Sequence, residues 1–249
     1  RAGETVDIDR EMMRLTLGIV GRTLFSAEVE EDAATVGEAM NALIEMMPLL
    51  MFPGSQLLLR MPLPFLRRFQ QAGEKLDATI YRIIEERRRS GADTGDLLSM
   101  LLLARDTEGD QAGMTDKQVR DETLTLFIAG HETTATALTW AWYLLAQHPE
   151  AEARMHAEID RELGGRPPAF ADLPRLTYTE HVFAEAMRLY PPAWAIGRMA
   201  AEELELGGYR LPKKSIVLLS PYVMHRAAAW WPEPDRFRPE RWEEEAPGR

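Results

Sequence analysis

Between Thr123 and Pro149 the only carboxylate is Glu132, and the residues around it are apolar on nearly every side. That pattern predicts a helix buried in the protein with a carboxyl group in its core. A buried carboxylate must be hydrogen-bonded, paired, or protonated through a raised pKa. The neighbours are poor helix formers. Gly130 costs about 1 kcal/mol relative to Ala inside a helix, and threonine hydroxyls can bond back to earlier carbonyls and bend it. The best helix thus holds its worst residues at its centre, as a site does when local rules are broken for function. Ala129 and Thr133 are four apart and share a face, small enough for something flat to approach the backbone. The plainer alternative is a glycine-relieved helix crossing with a solvated His131–Glu132 pair. His131-Glu132 also begins an HExxH zinc-protease pattern, but position 135 is Ala135. The second ligand is missing and that reading is discarded.

Glu185 and Arg188 lie three apart and can pair across one helical turn. Spacing alone says little, since Glu11/Arg14, Glu85/Arg88 and Glu158/Arg161 repeat it. The Glu185 pair is set apart by its apolar neighbours Phe183, Ala184, Ala186, Met187 and Leu189, which predict burial. A buried pair that lost one partner would be expensive. Arg241, in Pro239-Glu240-Arg241-Trp242, is a candidate second cation.

The elements that must position these residues are mostly helical. Apolar periodicity predicts helices over 8–25, 31–47, 64–89, 93–104, about 115–147, 149–163 and 178–190. Thr115, with Gln118 three residues on, is a natural N-cap of the long helix. Beyond Pro191-Pro192 the texture changes. Short strands are predicted at 198–201, 203–206 and 215–219, followed by a coil rich in Trp and Pro from Trp230 to Trp242. The expected fold class is mainly α with a small β-rich part, in one incomplete domain: a helical body to 190, then strands and coil over 191–249. Residues 42–66 are apolar but carry four prolines, which argues against a membrane span. They read as a loop packed on the core or as a mobile lid.

Composition excludes several classes of function. A net charge of −11 over 249 residues argues against nucleic-acid binding, which needs a basic face. The absence of Cys rules out disulfides, a thiol nucleophile and a thiolate metal ligand within this chain, so no metal ligand is assigned. The chain opens with Arg1 and lacks a signal-peptide pattern, and a piece of a longer protein is expected.

Taken together, Ala129-Gly-His-Glu-Thr-Thr134, Glu185-x-x-Arg188 with Leu-Tyr-Pro-Pro192, His225-Arg226 with Trp231-Pro-Glu-Pro234, and Phe237-Arg-Pro-Glu-Arg-Trp242 closely resemble a cytochrome P450. The resemblance covers essentially the whole chain and implies a P450 fold, incomplete, with haem as cofactor. It implies that Ala129 and Gly130 form the groove where oxygen binds over the haem. Thr133 would hydrogen-bond the iron-bound dioxygen species and Glu132 would feed protons toward it. Glu185, Arg188 and Arg241 would form an ion-pair triad behind the haem, and Arg198 would bind a propionate. Trp194, Ala195 and Ile196 would face an apolar small-molecule substrate. The partners implied are O2 and an electron-donor protein, a ferredoxin or a flavoprotein reductase.

The family's haem is held by a cysteine thiolate in a loop shortly after the Pro-Glu-Arg-Trp segment, and this chain has none. The expectation is the middle of a monooxygenase, truncated at both ends and inactive alone. The alternatives are a non-catalytic relic of the family, a helical interaction module, or an unrelated helical ligand-binding protein. A bacterial cytoplasmic setting is expected, with a membrane anchor before Arg1 left open.

Overall fold

A computed structural model of the chain describes residues 3–27, 36, 37, 39, 42, 64–105 and 112–243. Helix α1 (Ile8–Phe25) starts where the Asp7 carboxylate accepts the N–H of Arg10, and ends at Ser26 in the left-handed region. Its core face is Thr16, Leu17, Val20 and Phe25, while Leu15 and Ile19 are exposed. Thr16 is tolerated in that face because its hydroxyl donates to Met12 O at 2.9 Å. Of the helix expected over 31–47, only residues 36, 37, 39 and 42 are described, and they are helical. The lid reading of 42–66 lies outside the described residues apart from its ends.

Helix α2 is Pro64–Ser90 and α3 is the short Leu97–Leu103. The latter starts later than expected, because Asp96 caps it by accepting Ser99 N–H at 2.9 Å. Arg87 ties three segments together: its guanidinium donates to both oxygens of Asp96 and to Phe25 O at 2.8 Å. Helix α4 (Asp116–Gln147) opens with a reciprocal cap. Gln118 N–H donates to Thr115 Oγ1 at 3.3 Å, and Thr115 N–H donates to Gln118 Oε1 at 2.9 Å.

Helix α5 (Pro149–Leu163) begins on a proline and stops at Gly164, φ +57°. A 3₁₀ turn (Phe170–Arg175) leads into α6 (Thr177–Leu189). Strands β1 (Ile196–Met199) and β4 (Ile216–Leu219) pair antiparallel, with Arg198 opposite Val217. The first strand therefore begins two residues earlier than expected. Strands β2 (Leu204–Leu206) and β3 (Tyr209–Leu211) form a hairpin closed by Gly207 and Gly208, at φ +59° and +82°. Two central glycines with positive φ make a tight hairpin turn, and this turn brings in β3, a strand outside the expectation from sequence. Helix α7 (Pro221–Met224) and a 3₁₀ turn (Pro239–Trp242) complete the chain.

The chain divides into two compact units, Arg1–Ala135 and Thr136–Arg249. The first buries Leu17, Phe25, Ile80, Ile84, Leu98 and Phe127 together. The second buries Ala141, Leu145, Met155, Val182, Leu189 and Phe237, so the end of α4 packs with α5, α6 and the coil. Among the described residues no helix is long and apolar enough to cross a membrane.

Candidate active site

The central turns of α4 present two different faces. Val119, Thr123, Phe127, His131 and Ala135 recur every four residues and are buried. Ala129 and Thr133 lie together on an exposed face, one turn apart. Glu132 sits between the two and is half-buried, where full burial was expected. The position in the buried stripe belongs instead to His131, which is 2% exposed. Burial still pushes the Glu132 carboxyl up from the ordinary carboxylate range. Burial likewise pushes the His131 imidazole down, against a hydrogen bond with the backbone of Met13. Among the described residues His131 Nδ1 has no hydrogen-bond partner, so this histidine is a buried core group rather than a partner for Glu132.

Both threonine hydroxyls bond back along the helix. Thr133 Oγ1 donates to Ala129 O at 2.7 Å and Thr134 Oγ1 to Gly130 O at 3.0 Å. Gly130 faces α1: a Cβ there would come within 3.2 Å of Val20 Cγ2. Its missing side chain admits the close approach of α1, while Ala129 and Thr133 lie on the exposed face. Among the described residues no cluster of His, Cys, Asp and Glu could hold a metal ion.

In the second unit the structure brings Glu185, Arg188 and Arg241 together in one fully buried cluster. Glu185 Oε1 accepts Arg188 Nη2 at 2.9 Å, Arg241 Nε at 2.8 Å and the Arg238 N–H at 3.0 Å. Glu185 Oε2 accepts Arg188 Nε at 2.9 Å and Trp242 Nε1 at 3.0 Å. The remaining guanidinium N–H groups go to backbone carbonyls. Arg188 Nη1 holds His225 O and Pro234 O, each at 2.7 Å, and Arg241 Nη1 holds Pro232 O at 2.9 Å. Trp242 and the Arg238 N–H were not foreseen. The signal for them lay in the same Phe-Arg-Pro-Glu-Arg-Trp segment that supplied Arg241.

Arg198, exposed on β1, donates to its neighbour Gly197 O at 2.9 Å and has no carboxylate partner among the described residues. Trp194 is 64% exposed and Ser220 Oγ donates to its carbonyl at 2.9 Å; Ile196 is also exposed and Ala195 is half-buried. Taken unit by unit, these residues suit a haem in part. The open Ala129–Thr133 face can lie against a flat group, and the unpaired Arg198 guanidinium can grip a propionate. The proximal thiolate is not among the residues of this chain, which has no Cys.

The cytochrome P450 family model matches residues 1–247. The chain belongs to the cytochrome P450 family. It is 45% identical over 97% of its length to the cyclooctatin synthase of Streptomyces melanosporofaciens, covering 53% of that protein. It is 43% identical to the cyclooctat-9-en-7-ol 5-monooxygenase of the same organism over 96% of the chain and 52% of that protein. With the pentalenene oxygenase of Streptomyces avermitilis it shares 38% identity over 96% of the chain and 53% of that protein. The chain thus spans about half the length of the curated relatives it matches.

Proposed function

We propose that the chain is the central part of a haem monooxygenase that inserts an oxygen atom into an apolar small molecule, and that oxygen is handled at the open face of α4. One observation carries this reading: exposed Ala129 and Thr133 share a face beside a half-buried Glu132 whose carboxyl is pushed up by burial. The haem, when bound, supplies dioxygen binding and its reduction. This chain's residues supply the surroundings. Ala129 keeps the face shallow. The Thr133 hydroxyl, bonded to Ala129 O, turns its lone pairs outward and can rotate to donate. Glu132 holds a proton closer to neutral pH than an exposed glutamate and can pass it through the hydroxyl or water. Gly130 sets the depth of α4 against α1. Arg198 would hold a propionate, and Trp194, Ala195 and Ile196 would face the substrate. Glu185, Arg188 and Arg241 would keep the 232–242 coil in place, the segment closest in sequence to the family's cysteine loop.

The relatives named as a 5-monooxygenase of cyclooctat-9-en-7-ol and an oxygenase of pentalenene support an unsaturated hydrocarbon or its alcohol as substrate. O2 and an electron-donor protein, a ferredoxin or a flavoprotein reductase, complete the reaction. The bacterial relatives support a bacterial origin. The test is Thr133→Ala in the full-length protein, supplied with electrons and a hydrocarbon substrate. Oxygen consumption should continue while product per O2 falls about tenfold, a loss of roughly 1.4 kcal/mol in the productive branch. Coupling equal to that of the parent would overturn the reading, as would the absence of any product from the full-length protein.

A further inference from the structure

The second unit holds an aromatic array that oxygen handling leaves unused. Trp140 on α4 stacks on Tyr190, with ring centroids 4.0 Å apart and planes within 8°. Tyr143, one turn along α4, meets Trp140 edge-on at 5.4 Å and Tyr190 at 6.4 Å. Trp140 and Tyr190 are half-buried, whereas Tyr143 is 47% exposed. The Arg226 guanidinium stands over the Tyr190 ring at 5.4 Å and over Tyr222 at 3.9 Å. Along α4, Trp140 follows Thr133 by about two helical turns.

Indole and phenol rings are the side chains most readily oxidised in a chain without Cys, and rings in contact exchange electrons faster than rings separated by aliphatic packing. A cation over a ring opposes removal of an electron from it, so Arg226 makes Tyr190 a poor resting place for a radical. Among the described residues no cation stands over the Tyr143 ring, and Tyr143 is exposed to water.

We propose that Trp140 and Tyr143 form a one-electron relay that drains oxidising equivalents from the α4 site to the surface; this rests on the oxygen-activating function proposed above. An oxygen-centred radical of the peroxyl or hydroxyl class, left at the Ala129–Thr133 face when oxygen is activated without substrate turnover, takes one electron from the Trp140 indole and becomes the corresponding anion, which water protonates. The indole radical cation takes an electron from Tyr143, whose phenolic proton leaves to water. Trp140 is restored, and a neutral tyrosyl radical remains at the surface. A soluble thiol reduces it by supplying one hydrogen atom.

In the full-length protein, with any Cys outside these 249 Cys-free residues replaced by Ser, Thr133→Cys offers a single thiol on an exposed face for attaching a ruthenium photo-oxidant. Flash oxidation with transient absorption then reads the relay directly, without haem or O2. A tryptophan radical should give way to a tyrosyl radical. Tyr143→Phe should leave the tryptophan radical alive about tenfold longer, and Trp140→Phe should cut the tyrosyl yield about tenfold. Tyr190→Phe and Trp142→Phe should change neither. An unchanged tyrosyl yield in Trp140→Phe, or its loss in Trp142→Phe, overturns the relay. If Trp140→Phe does not fold, the exposed Tyr143→Phe decides alone: an unchanged tyrosyl signal there also overturns it. Because no oxygen is activated here, the relay and the monooxygenase reading can each fail while the other stands.

Discussion

Glu158 Oε2 accepts both the backbone N–H and the hydroxyl of Thr179, each at 2.8 Å. Its Oε1 accepts the Tyr178 N–H at 2.8 Å. The residue at the N-cap of α6 is Leu176, which has no side-chain oxygen, so a carboxylate from α5 does the capping. Glu158→Ala should cost about 2–3 kcal/mol in urea unfolding, because two buried N–H groups lose their acceptor. Burial works against the charged carboxylate, but these hydrogen bonds hold its pKa below the ordinary range. Its stabilisation is therefore present above the unfolded-state pKa and disappears as pH falls through the lower folded one. Glu158→Gln should show a flatter acid limb of stability against pH; an acid limb as steep as the parent's would count against the cap.

Arg188→Lys should destabilise the second unit by about 3–5 kcal/mol or leave it unfolded. Lysine keeps the charge but cannot span Glu185, His225 O and Pro234 O with one planar fork. Urea unfolding followed by Trp fluorescence measures this, since Trp231 and Trp242 lie at the cluster. A loss below about 1 kcal/mol would place the cluster's weight elsewhere.

Gly130→Ala sets two terms against each other. Helix propensity favours alanine by about 1 kcal/mol. The new Cβ lies 3.2 Å from Val20 Cγ2, and overpacking of this kind costs about 1–3 kcal/mol. The single variant should be less stable than the parent, while Gly130→Ala in a Val20→Ala background should be more stable than Val20→Ala alone. A double-mutant cycle with no coupling would mean that α1 yields freely.

Glu132→Gln should stabilise the protein at neutral pH. A carboxyl whose folded-state pKa is raised by burial stabilises the fold while protonated, and that benefit is lost as pH rises from the unfolded pKa through the folded one. The variant should therefore gain over the parent near pH 7 and lose that advantage near pH 4. Paired denaturant titrations at the two pH values check the sign.

Most of the helical frame was legible in the sequence because caps and prolines sit at its ends: Thr115 with Gln118, and Pro149 with Gly164. What escaped was set by tertiary contact. Apolar periodicity cannot say which of two adjacent stripes faces the core: on α1, Leu15 and Ile19 are exposed while Thr16, Leu17 and Val20 are buried. The same ambiguity exchanged Glu132 and His131, since the two differ by about 100° around one helix. Residues Glu185, Arg188 and Arg241 could be singled out because a Glu–Arg pair amid apolar neighbours needs further partners. The carbonyls that supply them come from a coil, where no period exists to be read.

That coil has a particular chemical vulnerability. The carbonyls of Pro232, Glu233, Pro234 and Arg236 are held by the side chains of Arg188 and Arg241 rather than by a backbone ladder. Its order is borrowed from two guanidinium groups, and the denaturant guanidinium is a free copy of that head group. Guanidinium salts therefore act on this segment as competing ligands as well as solvents, displacing Arg188 and Arg241 from the carbonyls and from Glu185. Urea, neutral and without charge-assisted affinity for the Glu185 carboxylate, lacks that second route. The coil should loosen in guanidinium at concentrations where the helices around it are still intact.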